Sequence, residues 1–520
     1  MISQKEFAIL HRMVTRSGVP AELETLLRGD GLGGRPRSLD ISVLLTCMLI
    51  TWRKVDNLFL TGVLETMETR LSRNVKVAYG LMNHSGKMLV GQSKVYYLWE
   101  TISKRIRWTG LTGTEIDGHE VAARETMFQE LLDSILAASL PTDMSATGSY
   151  AVDAVAIDSF GLARSGLDYD AQWGYRTKTD RNRTDQVYGY KVTPLLRVPK
   201  VGQEYPMLTE RFFIIPANGD EAPRVTGMCQ SLIAAGTKIT EIIADRAYSN
   251  YTPDRFADPL REMNIRQVVD IRPEQHGASD YCGALMIDGQ PHCPQTPEHL
   301  RVITKPAYCT KDKPTKNDTA KDRARKSRNN EAIDQFHANI AEREKYAFQL
   351  NATTKTGQQF ICPAKSGKVR CTGCPLSLGA PDDLPLLENP PAEPGRACTQ
   401  RTILVPWSVD PKIRQHHRWG SPEWCASFGR RSRVEGLFGM LQGAGSGSVN
   451  SNWIRVVGLV NTGIMIAIAL VAANLDAMER WLTEYPNQDI DADFAIVSRH
   501  VEFEEVPLSG LPPAPPGSTP

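Results

Sequence analysis

Apolar residues recur at helical spacing in the first part of the chain and give way to shorter runs after about residue 145. The segment SLDISVLLTCMLITWRK begins with Ser38 and Asp40, which are residue types that cap helices, and carries apolar residues three and four positions apart. From about residue 147, runs such as GSYAVDAVAID, VYGYKVTPLL and TEIIADRAY are short, β-branched and bounded by polar turns. The pattern predicts a helical N-terminal domain over 1–145 followed by an α/β layer.

Further changes in residue composition and pattern divide the rest of the chain. We expect the first part of the α/β core over 147–275, an insertion over 276–415, returning helices over 416–480 and an acidic, Pro-rich tail over 481–520. Within the insertion, the basic run KDKPTKNDTAKDRARKSR is typical of a solvated loop. The alternative is that this run contacts phosphates.

Composition and charge restrict the class of protein. The 520 residues are 41% hydrophobic and 23% charged, which is typical of a soluble chain with several domains. Because the net charge is only +1, any nucleic-acid surface has to be local. The N-terminus lacks a signal-peptide pattern, so we expect a cytoplasmic, nucleoid-associated protein with reduced cysteines. The apolar run 456–475 is long enough to span a bilayer, but Asn461 and Thr462 interrupt it and favour a buried helix without membrane contact.

A second N-terminal pattern bears on DNA. The segment VGQSKVYYLWETISKRIRW combines a Gly-Gln-Ser turn with an amphipathic helix that has a basic end. As the second helix of a helix-turn-helix it would place Ser93, Lys94 and Tyr97 near DNA. An ordinary packed helix explains the same pattern equally well.

Acidic residues lie where a metal site needs them. Asp153 and Asp245 are in the strand-like runs YAVDAV and IIADRAY, and Glu435 is in the helix-like run RRSRVEGLFGMLQ. Phe428, Arg431, Glu435 and Gln442 are spaced by three, four and seven residues, which predicts one helix face. Two strand-borne aspartates and a helix-borne glutamate suit two Mg²⁺ ions, since hard cations prefer oxygen ligands.

The cysteines indicate a different metal. Four of them, Cys362, Cys371, Cys374 and Cys398, give the spacing C-x8-C-x2-C-x23-C, and the CTGC knuckle suits tetrahedral Zn²⁺. The alternative is four unrelated thiols. A second set could supply further or substitute ligands: Cys282, His292, Cys293 and Cys309. Because no Gly-rich phosphate loop stands at a strand-to-helix junction, we expect no nucleotide cofactor.

The order and spacing of several blocks resemble the bacterial insertion-sequence transposases of the Asp-Asp-Glu (DDE) type. The resemblance runs from about residue 35 to 480, and its blocks are GRPRSLDISVL, YAVDAVAIDSFGLARS, WGYRTKT, VYGYKV, IIADRAYS, IDGQPHCP and RQHHRWGSPEWCASFGRRSRVEGLFGMLQ. It implies an RNase H-like mixed sheet flanked by helices, an N-terminal helical DNA-binding domain and an inserted subdomain that is a candidate for zinc stabilisation.

The resemblance also assigns the carboxylates. It implies that Asp153, Asp245 and Glu435 bind two Mg²⁺ or Mn²⁺ ions. Asp158 is the alternative first carboxylate. Because Asp153 and Asp158 are five positions apart, they face opposite sides of one regular strand, and only one of them can reach the metals.

The family pattern places Tyr, Arg, Glu and Lys on the last helix, where this chain has Phe428, Arg431, Glu435 and Gln442. Arg and Glu match, whereas the tyrosine hydroxyl and the lysine charge are lost. These positions are associated with DNA phosphates and ends. By charge and position, Lys191 and Arg246 are further candidates for phosphate contacts.

The function that the resemblance implies is DNA transposition. The protein would nick the ends of an insertion element and transfer the 3′-OH ends to target DNA. Its partners would be the terminal inverted repeats, the target DNA and a second copy of the chain in a homodimer. The alternative is a transposase-derived DNA-binding protein without catalytic activity, for which Phe428, Gln442 and Val155 argue.

Overall fold

The structure is a computed structural model that describes residues 1–28, 38–55, 59–109, 116–142, 144, 146–178, 183–372, 374, 381–442 and 454–486. The expected mixture of helices and strands is confirmed. The chain divides into two compact units, Met1–Lys238 with Arg433–Pro520, and Ile239–Ser432. The tail predicted over 481–520 lies outside the described residues from residue 487 onward.

Fifteen α-helices are present in the described part of the chain. In chain order they are α1 (Gln4–Arg16), α2 (Val19–Arg28), α3 (Ile41–Val55), α4 (Leu60–Glu65), α5 (Arg73–Ala78), α6 (Gln92–Ile106), α7 (Gly118–Ala137), α8 (Ala222–Ala234), α9 (Ala257–Glu262), α10 (Glu298–Arg301), α11 (Ala320–Glu344), α12 (Arg396–Thr399), α13 (Pro422–Gly429), α14 (Ser432–Gln442) and α15 (Leu459–Glu484).

The same residues contain fifteen strands. They are β1 (Ser149–Val152), β2 (Val155–Asp158), β3 (Gln172–Lys178), β4 (Arg183–Arg197), β5 (Leu208–Pro216), β6 (Glu241–Ala244), β7 (Arg266–Val269), β8 (Ala278–Tyr281), β9 (Ala284–Ile287), β10 (Gln290–His292), β11 (Gln349–Thr353), β12 (Gly357–Ile361), β13 (Arg370–Cys371), β14 (Leu386–Leu387) and β15 (Ile403–Pro406).

Two N-terminal helices match the sequence pattern. Helix α3 begins directly after Asp40, whose carboxylate accepts the backbone N–H of Ser42 at 2.7 Å, as a capping residue does. Helix α6 buries Val95 and Leu98 and leaves Lys94 and Tyr97 exposed, so the predicted amphipathic helix is confirmed. Whether it contacts DNA stays a prediction.

The long strand β4 organises the sheet of the first unit. It pairs antiparallel with β1, β2, β3 and β5. Val152 lies opposite Leu195 and Val155 lies opposite Val192, so β1 and β2 keep a single register. In that register Asp153 faces Pro194. Because proline has no N–H to donate, the ladder is interrupted at this point and one strand becomes two.

Helix α15 is the apolar centre of the first unit. It packs against α3, α6, α7 and β5. Among the described residues it is the one helix that is long and apolar enough to cross a membrane, and 89% of its most apolar window is buried. The predicted buried helix is therefore confirmed.

Polar groups fix α15 in place. At its start, the backbone N–H of Leu459 donates to Asp170 at 2.8 Å and that of Gly458 donates to Asp168 at 3.1 Å, so carboxylates occupy the positive end of the helix dipole. Further along, the buried Asn474 side chain accepts the backbone N–H of Thr209 at 2.8 Å and donates to its carbonyl at 2.9 Å. These bonds tie α15 to the irregular end of β5.

The second unit contains a parallel pair, β6 and β7, and three small groups of strands. Strands β8, β9 and β10 form a meander whose two turns are Cys282-Gly283 and Asp288-Gly289. All four of these residues have positive φ, which is the backbone of two-residue type I′ hairpin turns. The Asp288 side chain is buried and pairs with Arg343 at 2.7 Å and His276 at 2.8 Å.

Part of the basic run is helical, and the prediction of a loop is wrong there. Helix α11 begins after Thr319, and Thr319 and Asp322 form a capping box that satisfies the first backbone N–H groups. The helix is fixed by its second half, where Ile333, Phe336 and Ile340 are buried. Side-chain capping and distant apolar anchors therefore outweigh the repulsion between the cations.

The bonds of Asn474 give a test of how α15 is held. We expect Asn474→Ala to lower the free energy of unfolding by about 2–4 kcal/mol, because both backbone groups of buried Thr209 lose their partners. The matched variant Asn461→Ala, on the same helix, removes a single bond to the Val457 carbonyl and should cost at most about 1 kcal/mol. Urea unfolding measures both values, and equal costs would contradict this role for Asn474.

Candidate functional site

Two aspartates follow neighbouring parallel strands in the second unit. Ala244, the last residue of β6, pairs with Val269, the last residue of β7. Asp245 and Asp270 come next in the two strands, so both lie at the same carboxyl edge, where α/β sheets place their functional residues. Both side chains are half-buried. Asp245 was predicted as a site residue and Asp270 was not.

Burial outweighs the groups around Asp245 that stabilise its charged form, so the pKa of this carboxyl is raised. Burial raises the pKa of this carboxyl, and the carboxylate of Asp270 raises it further. The backbone N–H of Ala247, at 2.7 Å, and the cations Arg431 and Arg246 act in the opposite direction. A half-buried acid with a raised pKa beside a second acid is a site where a bound cation would stabilise the charged carboxylates.

Asp270 has its own partners. The indole N–H of Trp419 donates to its carboxylate at 2.9 Å, and the ammonium of Lys305 lies 3.4 Å from the other oxygen. Lys305 also lies 5.8 Å from the centre of the Phe428 ring. This lysine was missed at the sequence level, because nothing around it marks it as different from the other insertion lysines.

Helix α13 is docked on these two strands by polar bonds. The Gln415 amide accepts the N–H of Val269 at 3.0 Å and donates to its carbonyl at 3.1 Å, which occupies the edge of β7. The indole N–H of buried Trp424 lies 3.1 Å from the same Gln415 oxygen. Near the other end of the helix, Arg430 donates to Glu241 at 2.6 Å.

This docking places Phe428 and Arg431. The Phe428 ring stacks on Trp424 with centroids 4.6 Å apart, and the Arg431 guanidinium lies 5.7 Å from the Phe428 centroid. Two cations, Lys305 and Arg431, therefore lie near this ring, at distances where the π-system attracts positive charge. Two cations beside two carboxylates form a surface suited to an anionic substrate.

The prediction of one continuous helix face is wrong. Helix α13 ends at Gly429 and α14 begins at Ser432. Between them, the N–H groups of Arg430 and Arg431 bond to carbonyls three residues back, which turns the chain. Phe428, Arg431 and Glu435 therefore belong to two helices and the turn between them. Gln442 is the last residue of α14, and its side chain lies outside the described residues.

The remaining predicted acids lie in the first unit. Asp153 is half-buried at the break between β1 and β2, where its carboxylate accepts the N–H of Ala154 at 2.9 Å. Asp158 ends β2 and forms an ion pair with Arg176 at 2.6 Å; Arg176 also lies 3.5 Å from Asp185. Because Asp158 is engaged across the sheet, its environment is that of a structural residue. Glu435 is exposed on α14.

The two predicted phosphate contacts differ in their surroundings. The Lys191 ammonium forms an ion pair with Glu221 at 2.7 Å and donates to the Gly219 carbonyl at 3.3 Å. Arg246 is exposed immediately after Asp245. Of the two, Arg246 is the better placed to meet a ligand of the second unit.

Thiols of the cysteine cluster share one small core in the second unit. Cys362 and Cys293 are buried in it, and Cys371 packs against it. The Gln295 amide donates to the Cys371 sulfur at 3.3 Å, and the Cys374 N–H donates to the Cys371 carbonyl at 3.2 Å. Burial raises the pKa of the Cys362, Cys371 and Cys398 thiols, and neighbouring sulfurs raise it further.

The second predicted cysteine set is dispersed. Cys282 is a turn residue between β8 and β9, and Cys309 shares a hydrogen bond with Cys425. His292 is buried, and burial lowers its pKa to about 3. Cys293 instead joins the core that contains Cys362. The spacing of the cysteines in the sequence did not indicate that Cys293 and Cys362 share a core.

The described residues contain no group of three His, Cys, Asp or Glu side chains already arranged to hold a metal ion. What they contain is donors of suitable chemistry, namely oxygen from Asp245 and Asp270 and sulfur from the cysteine core. Asp270 could have been found in the sequence, since IRQVVD ends an apolar run with an acid just as EIIAD does.

Comparison with known proteins returned no match, either among protein-family models or among curated proteins.

The raised pKa of Asp245 gives a test that needs no substrate. When folding raises the pKa of an acid, the folded protein loses stability as the pH rises from the ordinary pKa of 3.8 through the raised pKa. We therefore expect Asp245→Asn to melt at a higher temperature than the parent at pH 7. The difference should disappear toward pH 4.

The matched control is Asp254→Asn, since Asp254 is exposed in the same unit. It should change the melting temperature little at either pH. An Asp245→Asn protein that melts below the parent at pH 7 would mean that this carboxylate stabilises the fold instead.

Proposed function

We propose that the protein is a DNA transposase of the DDE type with an RNase H-like catalytic core. The observation that carries the proposal is the environment of Asp245, a half-buried acid with a raised pKa beside Asp270, Arg431 and Arg246 at the carboxyl edge of a parallel strand pair. Acids kept in such positions at a cost in stability are characteristic of functional sites. The blocks of sequence that resemble this family supply the reaction class.

The proposed metal ligands are Asp153, Asp245 and Glu435. Asp153 and Asp245 directly follow fully buried four-residue strands, which hold their backbones firmly. Asp158 is the alternative to Asp153, and its ion pair with Arg176 makes it the weaker candidate. When bound, Mg²⁺ or Mn²⁺ ions would activate the attacking oxygen and stabilise the leaving one. The carboxylates supply the oxygen donors that such ions require.

Cationic side chains of the second unit would hold the DNA. Arg431 and Lys305, both near Phe428, have the charge to contact phosphates near Asp245 and Asp270. Lys191 would first have to leave Glu221. The exposed face of α6, with Lys94 and Tyr97, is the proposed reader of the terminal repeats. A homodimer at the nucleoid, in the cytoplasm, would hold two element ends together.

The proposal predicts metal-dependent nicking. Purified protein incubated with the DNA that flanks its own reading frame should produce new 3′-OH ends at an inverted repeat in Mg²⁺ or Mn²⁺. Asp153→Ala, Asp245→Ala and Glu435→Gln should each reduce cleavage by at least about 10³-fold while binding persists. The exposed-residue control Asp254→Asn should cleave like the parent. Mapping of the 3′ ends at nucleotide resolution measures all of these.

Two other outcomes are informative. Cleavage by Glu435→Gln at the parental rate would remove Glu435 from the site. Specific DNA binding without nicks in either metal would instead identify a transposase-derived binding protein without activity. The departures at Phe428 and Gln442 from the family pattern motivate that alternative.

We further propose that the cysteine core takes a structural Zn²⁺ ion, with Cys362, Cys371, Cys374 and Cys398 as its ligands. The Cys362 sulfur accepts backbone N–H groups of Ala364 and Lys365, which stabilise a thiolate as in zinc knuckles. Cys293 lies in the same core and is the substitute ligand. Bound zinc would stabilise a region built from short strands.

The expected zinc content is about one ion per chain after purification without chelator. The double variant Cys371→Ser/Cys374→Ser should lose the metal and melt at a lower temperature, because the knuckle supplies two of four ligands. Cys282→Ser, in the β8–β9 turn, is the control and should keep the metal. Zinc at buffer level in the parent protein, measured by mass spectrometry, would exclude the site.

A further inference from the structure

The charge of the chain is concentrated at the start of α11. Residues 311–328 hold eight Lys/Arg against three Asp, a net charge of +5, whereas the whole chain carries +1. The other 502 residues are therefore slightly acidic as a set. A positive field on this protein is local, and this segment is its largest continuous source in the sequence.

All three acids of the segment accept hydrogen bonds. The Asp312 carboxylate accepts the side-chain N–H of Asn329, on α11, at 3.2 Å. Asp318 accepts the N–H of Thr315 at 2.9 Å and the ammonium of Lys326 at 2.8 Å. Asp322 accepts the N–H of Thr319 in the capping box at 3.2 Å. These contacts build the turn that leads into α11. Among the described residues, three cations of the segment have an ion-pair partner, namely Lys311, Arg325 and Lys326, and the other five have none.

Three cations form a stripe on the first half of α11. Lys321, Arg325 and Arg328 are spaced by four and three residues, so they lie on one side of the helix. All three are exposed. Arg325 makes a solvent-exposed ion pair with Asp322 at 3.5 Å, and such a pair adds little stability. In the described part of the chain, Lys321 and Arg328 have no ion-pair partner. At a rise of 1.5 Å per residue the stripe spans roughly 10 Å.

The stripe begins in the first turn of α11, where the Lys321 cation opposes the helix macrodipole. Every buried residue of α11 lies at or beyond Ile333, so the first half gains nothing from packing. It also lacks the apolar stripe of a membrane-surface helix. The positive dipole end and the cations together favour one kind of ligand, a polyanion.

We propose that the Lys321–Arg325–Arg328 stripe binds the sugar–phosphate backbone of duplex DNA. Duplex DNA carries one negative charge per about 1.7 Å of its axis, so a stripe of this length meets several phosphates. Such contacts position a protein on DNA without reading sequence. The inference rests on the proposed function only in taking DNA as the polyanion, and its test does not depend on cleavage.

The test compares two triple variants of the full chain. Lys321→Gln/Arg325→Gln/Arg328→Gln removes the stripe. The matched control, Lys345→Gln/Lys355→Gln/Arg401→Gln, removes three exposed cations elsewhere in the same unit, so the net charge falls equally. Glutamine keeps the helix propensity of lysine and arginine. Far-UV circular dichroism and melting curves establish that both variants fold.

The measurement is fluorescence anisotropy with duplex DNA from the flanking region, from 50 to 200 mM salt, without divalent metal. We expect the stripe variant to lose at least about tenfold in affinity at 50 mM salt. Its slope of log K against log salt should shrink by up to about 3, or roughly 0.9 per lost phosphate contact. The control variant should lose much less affinity and keep the parental slope.

The remaining outcomes separate the two ideas. If the parent binds duplex DNA and both variants lose affinity equally, the stripe proposal is overturned and the proposed function is untouched. If the parent binds no duplex DNA at any salt concentration, both fail. Tighter binding of single-stranded RNA or of an acidic polypeptide than of duplex DNA, abolished by the stripe substitutions, would overturn DNA as the partner.

Discussion

The burial of α15 is the constraint on which the first unit depends. A helix of this apolar character cannot be left in water, so α3, α6, α7 and β5 pack around it. Carboxylates accept the backbone N–H groups at its start, and Asn474 bonds to the backbone of Thr209, so these buried polar groups have hydrogen-bond partners. Because α15 follows the rest of that unit in the chain, the unit is completed only when residues more than 200 positions apart meet.

In the second unit, polar side chains supply hydrogen bonds that long strands supply in larger sheets. Strands β6 and β7 have four residues each, and Gln415 continues the hydrogen bonding of β7 on the edge where no further strand of the described residues pairs with it. Trp424 and Arg430 then fix α13 at two points. The position of Phe428 and Arg431 relative to Asp245 follows from these bonds. A rigid frame of this kind is what a site with precise charge placement requires.

Local patterns predicted a large part of this fold. The cap of α3, the amphipathic α6, the strands around Asp153 and Asp245 and the buried α15 all follow from periodicity and residue type. The split between α13 and α14 could not be read the same way, since Arg430 is held by Glu241, 189 residues earlier. The pairing of Lys191 with Glu221 and the neighbourhood of Asp270 likewise depend on strand registers that the sequence does not display. The start of α11 could have been predicted from the sequence, because Thr319 and Asp322 have capping-box spacing.

The single register shared by β1 and β2 makes the length of this segment as important as its composition. Side chains alternate along the strand, so Asp153 shares a face with Ala151, Val155 and Ile157 only while the count between them is unchanged. An insertion or deletion of one residue would turn the acid to the opposite face without altering a single neighbour's identity. Pro194 opposite it gives no ladder bond to resist such a slip. Related chains are therefore expected to accept many substitutions here but no odd change in length.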